Sequence, residues 1–309
     1  MANERRYRLR WVDVFTERAL AGNPLAVVLE AEGLSTTEMQ AIARETNLSE
    51  TTFVLQPEKR GYAAKVRIFT PHVELPFAGH PTVGTGWVLI DEGLVGSDAP
   101  AFILEEGVGP ITVRVDRGRG SIVLWMSHPP VKFGDVIEER QDMAAALGLV
   151  VADLLPQVPI QVASTGSAFV YVALKDAAAV DRAVSSGEAL TSVLDPHGLP
   201  AVFLFAAAGG NRLYSRMFGP HSPTRIGEDP ATGAASGPLG AFAVRYGLIP
   251  GTPQVSIVSE QGTKMGRQSF VHINLVYPAG AELPSLIEVG GSVVPVMTAE
   301  LSVSGSIAT

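Results

Sequence analysis

Two segments of this chain read as one structural device used twice. The first runs from Leu75 through Pro76, Gly79, His80 and Pro81 into the apolar stretch Trp87 to Ile90, and closes on Gly93 and Leu94. The second runs from Gly227 through Asp229, Pro230 and Gly233 into Leu239 to Val244, and closes on Gly247 and Leu248. In each, a polar residue is followed by proline, then by small residues and glycine, then by a helix-like apolar run, then by Gly-Leu. Proline fits the first turn of a helix, where its missing N–H has no partner to lose. Glycine just past the apolar run is a helix stop. Each segment is therefore expected to be a tight loop feeding a helix N-terminus. Such an end carries free N–H groups and a partial positive charge, which suit a carboxylate or a phosphate. Two copies point to a duplicated fold, with two anion-binding ends and one small acidic substrate between them.

At 309 residues the chain is long for a single core, so two domains are expected. The best linker is His128-Pro129-Pro130, which separates a first domain over 1–127 from a second over 131–288. Hydrophobic residues at 46% against 17% charged give ample material for burial and some apolar surface left to cover, which points to a homodimer. A net charge of −8 without any basic run argues against nucleic acid and anionic membranes as partners. The absence of cysteine excludes disulfides, thiolate metal sites and cysteine catalysis. The N-terminus leads straight into a strand-like stretch with no signal-peptide pattern, and no run is long and apolar enough to span a bilayer; a cytoplasmic protein is expected.

Along the chain, Trp11 to Phe15 and Leu25 to Leu29 alternate as strands around a turn at Ala21 to Pro24. Ser35 and Glu38 form a capping box for a helix ending near Asn47. Thr51 to Leu55 and Ala64 to Phe69 read as strands, and the stretches 101–104, 111–115 and 121–126 as a meander. In the second half, helices are expected over 142–147 and around 177–189. Strands are expected over 169–174, 201–205, 212–218, 254–258 and 270–276, followed by a tail of two strand-like pieces. Many strands with few helices in each half indicate an α+β fold.

Three side chains stand out for chemistry. Glu50 lies between a helix end and an apolar strand. It reads either as a solvated loop glutamate or as a general acid/base whose carboxyl is raised by partial burial. His80, at the first helix start, is either a structural hydrogen-bonding group or a neutral imidazole able to take or give a proton. Asp229 holds the matching place in the second device, where an N-cap and a binding role are compatible. His128, His221 and His272 read as surface or strand residues. The six histidines are scattered without ligand spacing, so no metal is expected, and the glycine-rich loops match neither a P-loop nor a dinucleotide fingerprint.

The segments Asn47-Leu48-Ser49-Glu50-Thr51-Thr52-Phe53-Val54, Glu74-Leu75-Pro76-Phe77-Ala78-Gly79-His80-Pro81-Thr82 and Glu228-Asp229-Pro230-Ala231-Thr232-Gly233 together resemble the PhzF family of phenazine biosynthesis. The likeness continues at Asp13-Val14-Phe15, Gly22-Asn23-Pro24, Ser164-Thr165-Gly166 and Gln261 to Arg267, in order and over almost the whole chain. The resemblance implies a diaminopimelate-epimerase-like fold of two similar α+β domains, each a mostly antiparallel sheet wrapped around a central helix. It further implies a site in the cleft between them, no cofactor and a homodimer, with the tail over 289–309 returning to the first domain. Glu50, His80 and Asp229 match the family's catalytic residues, and Gly79, Gly233 and Ala234 fall at substrate-binding positions. At Ala234 the phenazine pattern carries a serine that faces substrate. Ser236, two residues on, would point elsewhere on a helix.

These readings converge on a cofactor-independent isomerase, shifting a proton on a small carboxylate-bearing substrate such as a dihydro-hydroxyanthranilate-like acid. An epimerase or cyclase acting on another small acid, or a non-catalytic dimeric binder, uses the same elements.

Overall fold

The computed structural model describes residues 4–118, 120–219, 227–251 and 253–303. The chain divides into two compact units, one taking the chain up to Met126 together with the stretch from Gly290 on, the other Ser127–Val289.

In the first unit, β1 (Arg5–Val14) and β2 (Asn23–Val28) pair antiparallel. The turn between them uses Gly22 at φ +68°, where a Cβ would fall 2.4 Å from the Val14 carbonyl oxygen, so no other residue fits. Helix α1 (Thr36–Thr46) starts at the Ser35/Glu38 capping box and stops at Asn47, which takes the left-handed conformation. Its apolar side, Met39, Ile42 and Ala43, packs on Val28, Phe53 and Phe69. Strand β3 (Thr51–Leu55) then lies parallel to β2, β4 (Ala64–Phe69) antiparallel to β3, and the short β5 (Glu74–Leu75) antiparallel to β4. After α2 (Gly79–Asp91), β6 (Ala101–Glu106) lies parallel to β4, and β7 (Gly109–Asp116) and β8 (Val123–Ser127) complete a meander.

The second unit repeats this order of pairings. It opens with β9 (Lys132–Ile137), α3 (Arg140–Ala146) and β10 (Ile160–Ser164), β10 lying antiparallel to β9. Strand β11 (Ala168–Ala173) is antiparallel to β10. Two helices follow, α4 (Ala177–Arg182) and α5 (Gly187–Leu194), where the sequence pattern predicts one. The chain turns extended at Ala183, and Ser186 and Gly187 restart it, residues that favour caps over helix interiors. Strand β12 (Val202–Ala207) is parallel to β11, β13 (Arg212–Phe218) antiparallel to β12, and the short β14 (Glu228–Asp229) antiparallel to β13. Then come α6 (Gly233–Arg245), β15 (Gln254–Gln261) parallel to β13, and β16 (Ser269–Val276) antiparallel to β15.

The tail forms one strand, β17 (Leu286–Val303), not two pieces. It leaves the second unit and pairs antiparallel with β1 in the first. Pro295 is tolerated because the register slips beside it: Trp11 pairs with Met297 and Val12 with Pro295, leaving Val296 as a bulge.

Helices α2 and α6 are each 13 residues long and apolar around most of their circumference, which is the signature of a helix enclosed by other elements. A Cβ at Gly84 would lie 2.6 Å from Leu25 and one at Gly86 3.1 Å from Phe102, so strands approach α2 closely from two sides. Around α6, Phe242 stacks on Tyr171 with centroids 5.4 Å apart and meets Phe205 edge-on at 5.8 Å. Both helices end in the same Schellman arrangement. Leu94 N–H bonds Leu89 O and Gly93 N–H bonds Ile90 O; Leu248 N–H bonds Ala243 O and Gly247 N–H bonds Val244 O.

Candidate active site

Glu50 is placed by the left-handed exit from α1 and the start of β3. The hydroxyl of Thr46 bonds the Ala43 carbonyl and lies 2.7 Å from that of Thr51, tying the helix end to the strand start on both sides of the loop. The loop that carries Glu50 is therefore held at both ends, and only 8% of the residue is exposed. Glu50 is not a solvated loop glutamate. His80 is the second residue of α2 and is 5% exposed. Its ring donates to the carbonyl of Pro24, and its Nε2 makes no hydrogen bond and faces Glu50 Oε2 at 3.6 Å. Because Pro24 offers only a carbonyl, the ring proton sits on Nδ1, and Nε2 presents a lone pair to the carboxyl. Burial drives the imidazole down to about 3, opposed by the Pro24 bond, so the ring is neutral across the physiological range.

Gly79, ahead of His80, is the first residue of α2, and its N-cap Ala78 supplies no capping side chain. The N–H groups of the first turn are thus left to other partners, and Pro81, the third residue, removes one of them.

Asp229 lies in the second unit, at the end of β14, 7% exposed. It does not cap α6 as a sequence reading allows. The N-cap is Thr232, and the helix begins at Gly233, so Pro230 lies ahead of the helix, outside its first turn. The Asp229 carboxylate instead accepts from the Thr232 hydroxyl at 2.6 Å. Gln261, fully buried, ties the bend together: its amide nitrogen donates to the Asp229 carbonyl at 2.8 Å and to Thr232 Oγ1 at 3.0 Å, and its oxygen accepts from Thr232 N–H at 3.1 Å. Gly233 is buried, and Ala234 is half-buried against the α6 core. Ser236 cannot stand in for a serine at 234. It is fully buried and its hydroxyl bonds back to the Thr232 carbonyl at 2.9 Å.

Sequence reasoning assigns Gln261 no role, although it occupies an inward position in the alternation of β15 with Val255, Ile257 and Ser259. His128 is not the surface or strand residue that the sequence suggests. It is half-buried within the second unit, with Nδ1 2.8 Å from Thr165 Oγ1, and burial lowers its ring to about 4. Of the other two, His272 lies in β16 and His221 falls outside the described residues. Among the described residues no three His, Cys, Asp or Glu side chains converge as a metal site, and no helix is long and apolar enough to cross a membrane.

The model of the phenazine biosynthesis-like PhzC-PhzF family matches residues 12–299. The chain belongs to this family. Trans-2,3-dihydro-3-hydroxyanthranilate isomerase of Pseudomonas chlororaphis is 38% identical over 260 residues, covering 84% of this chain and 87% of the relative. The enzyme of the same name from Pseudomonas aeruginosa is 37% identical over 281 residues, covering 91% and 94%. Among solved structures, the Bacillus anthracis phenazine biosynthesis protein of the PhzF family superposes with a TM-score of 0.88 at 28% identity, covering 96% of this chain and 99% of that one. PhzF membership accounts for the mixed sheets with few helices described above.

Proposed function

We propose that the protein is a PhzF-type isomerase that moves a proton between two carbons of a small unsaturated carboxylic acid, with Glu50 as the group that takes and returns it. The observation that carries this reading is the buried pair itself. A carboxyl oxygen lies 3.6 Å from the bare nitrogen of a neutral imidazole, both groups nearly sealed from solvent. Trans-2,3-dihydro-3-hydroxyanthranilate, the acid named for the relatives at 37–38% identity, is the class of substrate that fits.

In the proposed step the Glu50 carboxylate removes a proton from carbon beside the conjugated system. The electron pair left behind spreads over the double bonds; the protonated Glu50 carboxyl exchanges its hydrogen with solvent and delivers one to another carbon of the same face. Electrons are conserved, so the step calls on no redox cofactor. The Nε2 of neutral His80 can only accept, so it takes a hydrogen bond from the Glu50 carboxyl once that carboxyl holds the proton, or from an N–H or O–H of the substrate. The uncapped first turn of α2, at Gly79 and His80, supplies N–H donors for the substrate carboxylate and for the charge that develops during transfer. We extend the proposal to Asp229, with Gly233 and Ala234, as substrate-binding residues. The repeated order of strands supports treating the two units as two copies of one plan, each a sheet around its helix. A homodimer in the cytoplasm completes the reading.

The test is direct. Purified protein is given trans-2,3-dihydro-3-hydroxyanthranilate in heavy water. Isomerised product carrying deuterium at the newly protonated carbon is expected. Saturable binding without exchange or isomerisation would make the protein a binder, and product of inverted configuration at a single carbon would make it an epimerase.

A further inference from the structure

The inner face of β6 carries Phe102, Leu104 and Glu106 in alternation, all buried. A carboxyl at the third of these positions breaks an otherwise apolar pattern, and its surroundings are satisfied in one protonation state. Glu106 Oε1 lies 2.8 Å from Thr82 Oγ1. The same hydroxyl lies 2.7 Å from the carbonyl oxygen of Ala78, the N-cap of α2. A threonine hydroxyl has one proton to give, and a carbonyl can only accept. If Thr82 donates to Ala78, the proton in the Thr82–Glu106 contact belongs to Glu106. A carboxylate would instead claim the Thr82 proton, leaving two oxygens in contact at Ala78 with no hydrogen between them. Glu106 Oε2 is sealed from solvent and makes no hydrogen bond, which a neutral carboxyl tolerates far better than an ion.

No charged group favours the ion. On β4, Lys65 and Arg67 stand on the other face of the sheet and pair with Glu58 and Glu74. Glu105 faces that side too and accepts from Glu58 N–H. Opposite Glu106 on β7 is Gly109. On α2 the nearest titratable group in sequence is the neutral His80. Burial accordingly pushes the Glu106 carboxyl up to about 8, with the Thr82 bond opposing.

We infer that Glu106 is a positioning residue that works as a carboxylic acid, donating to Thr82 so that Thr82 holds the Ala78 carbonyl and fixes the turn presenting Gly79 and His80. Its bearing on catalysis rests on the reading of that turn as part of the active site. Ionisation would reverse the chain of bonds, leaving Ala78 O with the Thr82 N–H alone. It would also place a fixed negative charge beside the helix end that is to receive the substrate's carboxylate, and such a charge competes with an anionic ligand.

The experiment is an NMR titration of protein labelled with carbon-13 at glutamate carboxyls. Glu106→Gln identifies the signal, and Glu106→Asp does the same if the amide variant does not fold, since aspartate carries no label. The Glu106 carboxyl is expected to be neutral at neutral pH and to ionise near 8. The Gly79 and His80 amides are expected to shift with the same midpoint in the wild type and to stay still in Glu106→Gln. KM for trans-2,3-dihydro-3-hydroxyanthranilate is expected to rise about tenfold across that midpoint and to show no such limb in Glu106→Gln, whose amide donates to Thr82 as the acid does. A Glu106 already ionised at neutral pH, or Gly79 and His80 amides indifferent to its titration, would overturn the inference. Both NMR signatures in a protein that does not isomerise the acid would uphold the Glu106–Thr82–Ala78 link and overturn the reading of the site above it.

Discussion

At the scale of single residues, Glu50 and His80 define each other. The imidazole is fixed by the Pro24 carbonyl on one nitrogen, so the other nitrogen has one direction to face, and Glu50 is there. His80→Asn keeps a hydrogen-bonding group but loses the ring's reach. We expect it to lower kcat by about a hundredfold, the low end of the range for a group that assists proton transfer. The neutral ring makes a second prediction. Nitrogen-15 shifts of His80 should stay those of the neutral tautomer down to mildly acidic pH, with its change near 3; a normal histidine titration would contradict the buried geometry. Position 234 tests substrate choice. Ala234 sits half-buried in the first turn of α6, where a hydroxyl could meet a polar group of the substrate. Ala234→Ser is expected to lower KM for trans-2,3-dihydro-3-hydroxyanthranilate by about tenfold, the worth of one hydrogen bond to a group otherwise left unpaired. An unchanged KM would mean the pocket differs by more than this hydroxyl.

At the scale of elements, α2 and α6 are legible in the amino-acid sequence. Gly93-Leu94 and Gly247-Leu248 carry the helix stops in the chain itself, because few residues other than glycine enter the left-handed region without cost. The beginnings are less legible. Proline fits near a helix start without fixing it: Pro81 lies inside α2, while Pro230 precedes α6 by three positions, and Thr232 takes the cap that Asp229 was free to take. What decides the second start is Gln261, a strand residue 29 positions from Thr232, and local pattern cannot reveal a partner so far along the chain. Gln261→Leu should leave the Asp229 carbonyl and the Thr232 N–H without their partner, at a cost of about 1–3 kcal/mol in urea unfolding. The close approach of strands to α2 is equally testable. Gly84→Ala puts a Cβ 2.6 Å from Leu25, an overpacking expected to cost about 1–3 kcal/mol. A wild-type midpoint for that variant would show that the strands beside α2 give way freely.

At the scale of the whole molecule, buried titratable groups set how stability follows pH. His80 and His128 are held near 3 and 4, against about 6.5 in an unfolded chain. Between those values the unfolded chain binds protons that the native protein refuses, so stability falls as pH drops through that window. Glu106 acts with the opposite sign. Its carboxyl stays protonated to about 8 where an unfolded glutamate ionises near 4.5, so its contribution is complete in acid and is lost as pH rises from 4.5 through 8. Denaturant midpoints should therefore decline on both sides of a mildly acidic optimum. His128→Asn should flatten the acid limb and Glu106→Gln the alkaline one; limbs unchanged in both variants would contradict the burial of these groups. The α+β class, most of the strands along the chain and the three candidate acid/base residues can be read from periodicity, punctuation and resemblance; the pairing of the strands and the single long tail strand cannot. Nor can the partners of those residues. The Pro24 carbonyl, Thr82 with Glu106, and Gln261 act through contacts that exist only once distant strands have met.

Under the proposed function Glu50 carries the proton. Gln at this position keeps the shape and one hydrogen-bonding oxygen but cannot exchange a proton. The measurement is turnover of trans-2,3-dihydro-3-hydroxyanthranilate by Glu50→Gln in heavy water, with binding of the acid followed on the same protein. Binding close to wild type is expected, with a loss of at least about a hundredfold in turnover and deuterium incorporation lost in step. Turnover near the wild-type rate with undiminished deuterium in the product would remove Glu50 from the mechanism and pass its role to His80 or Asp229.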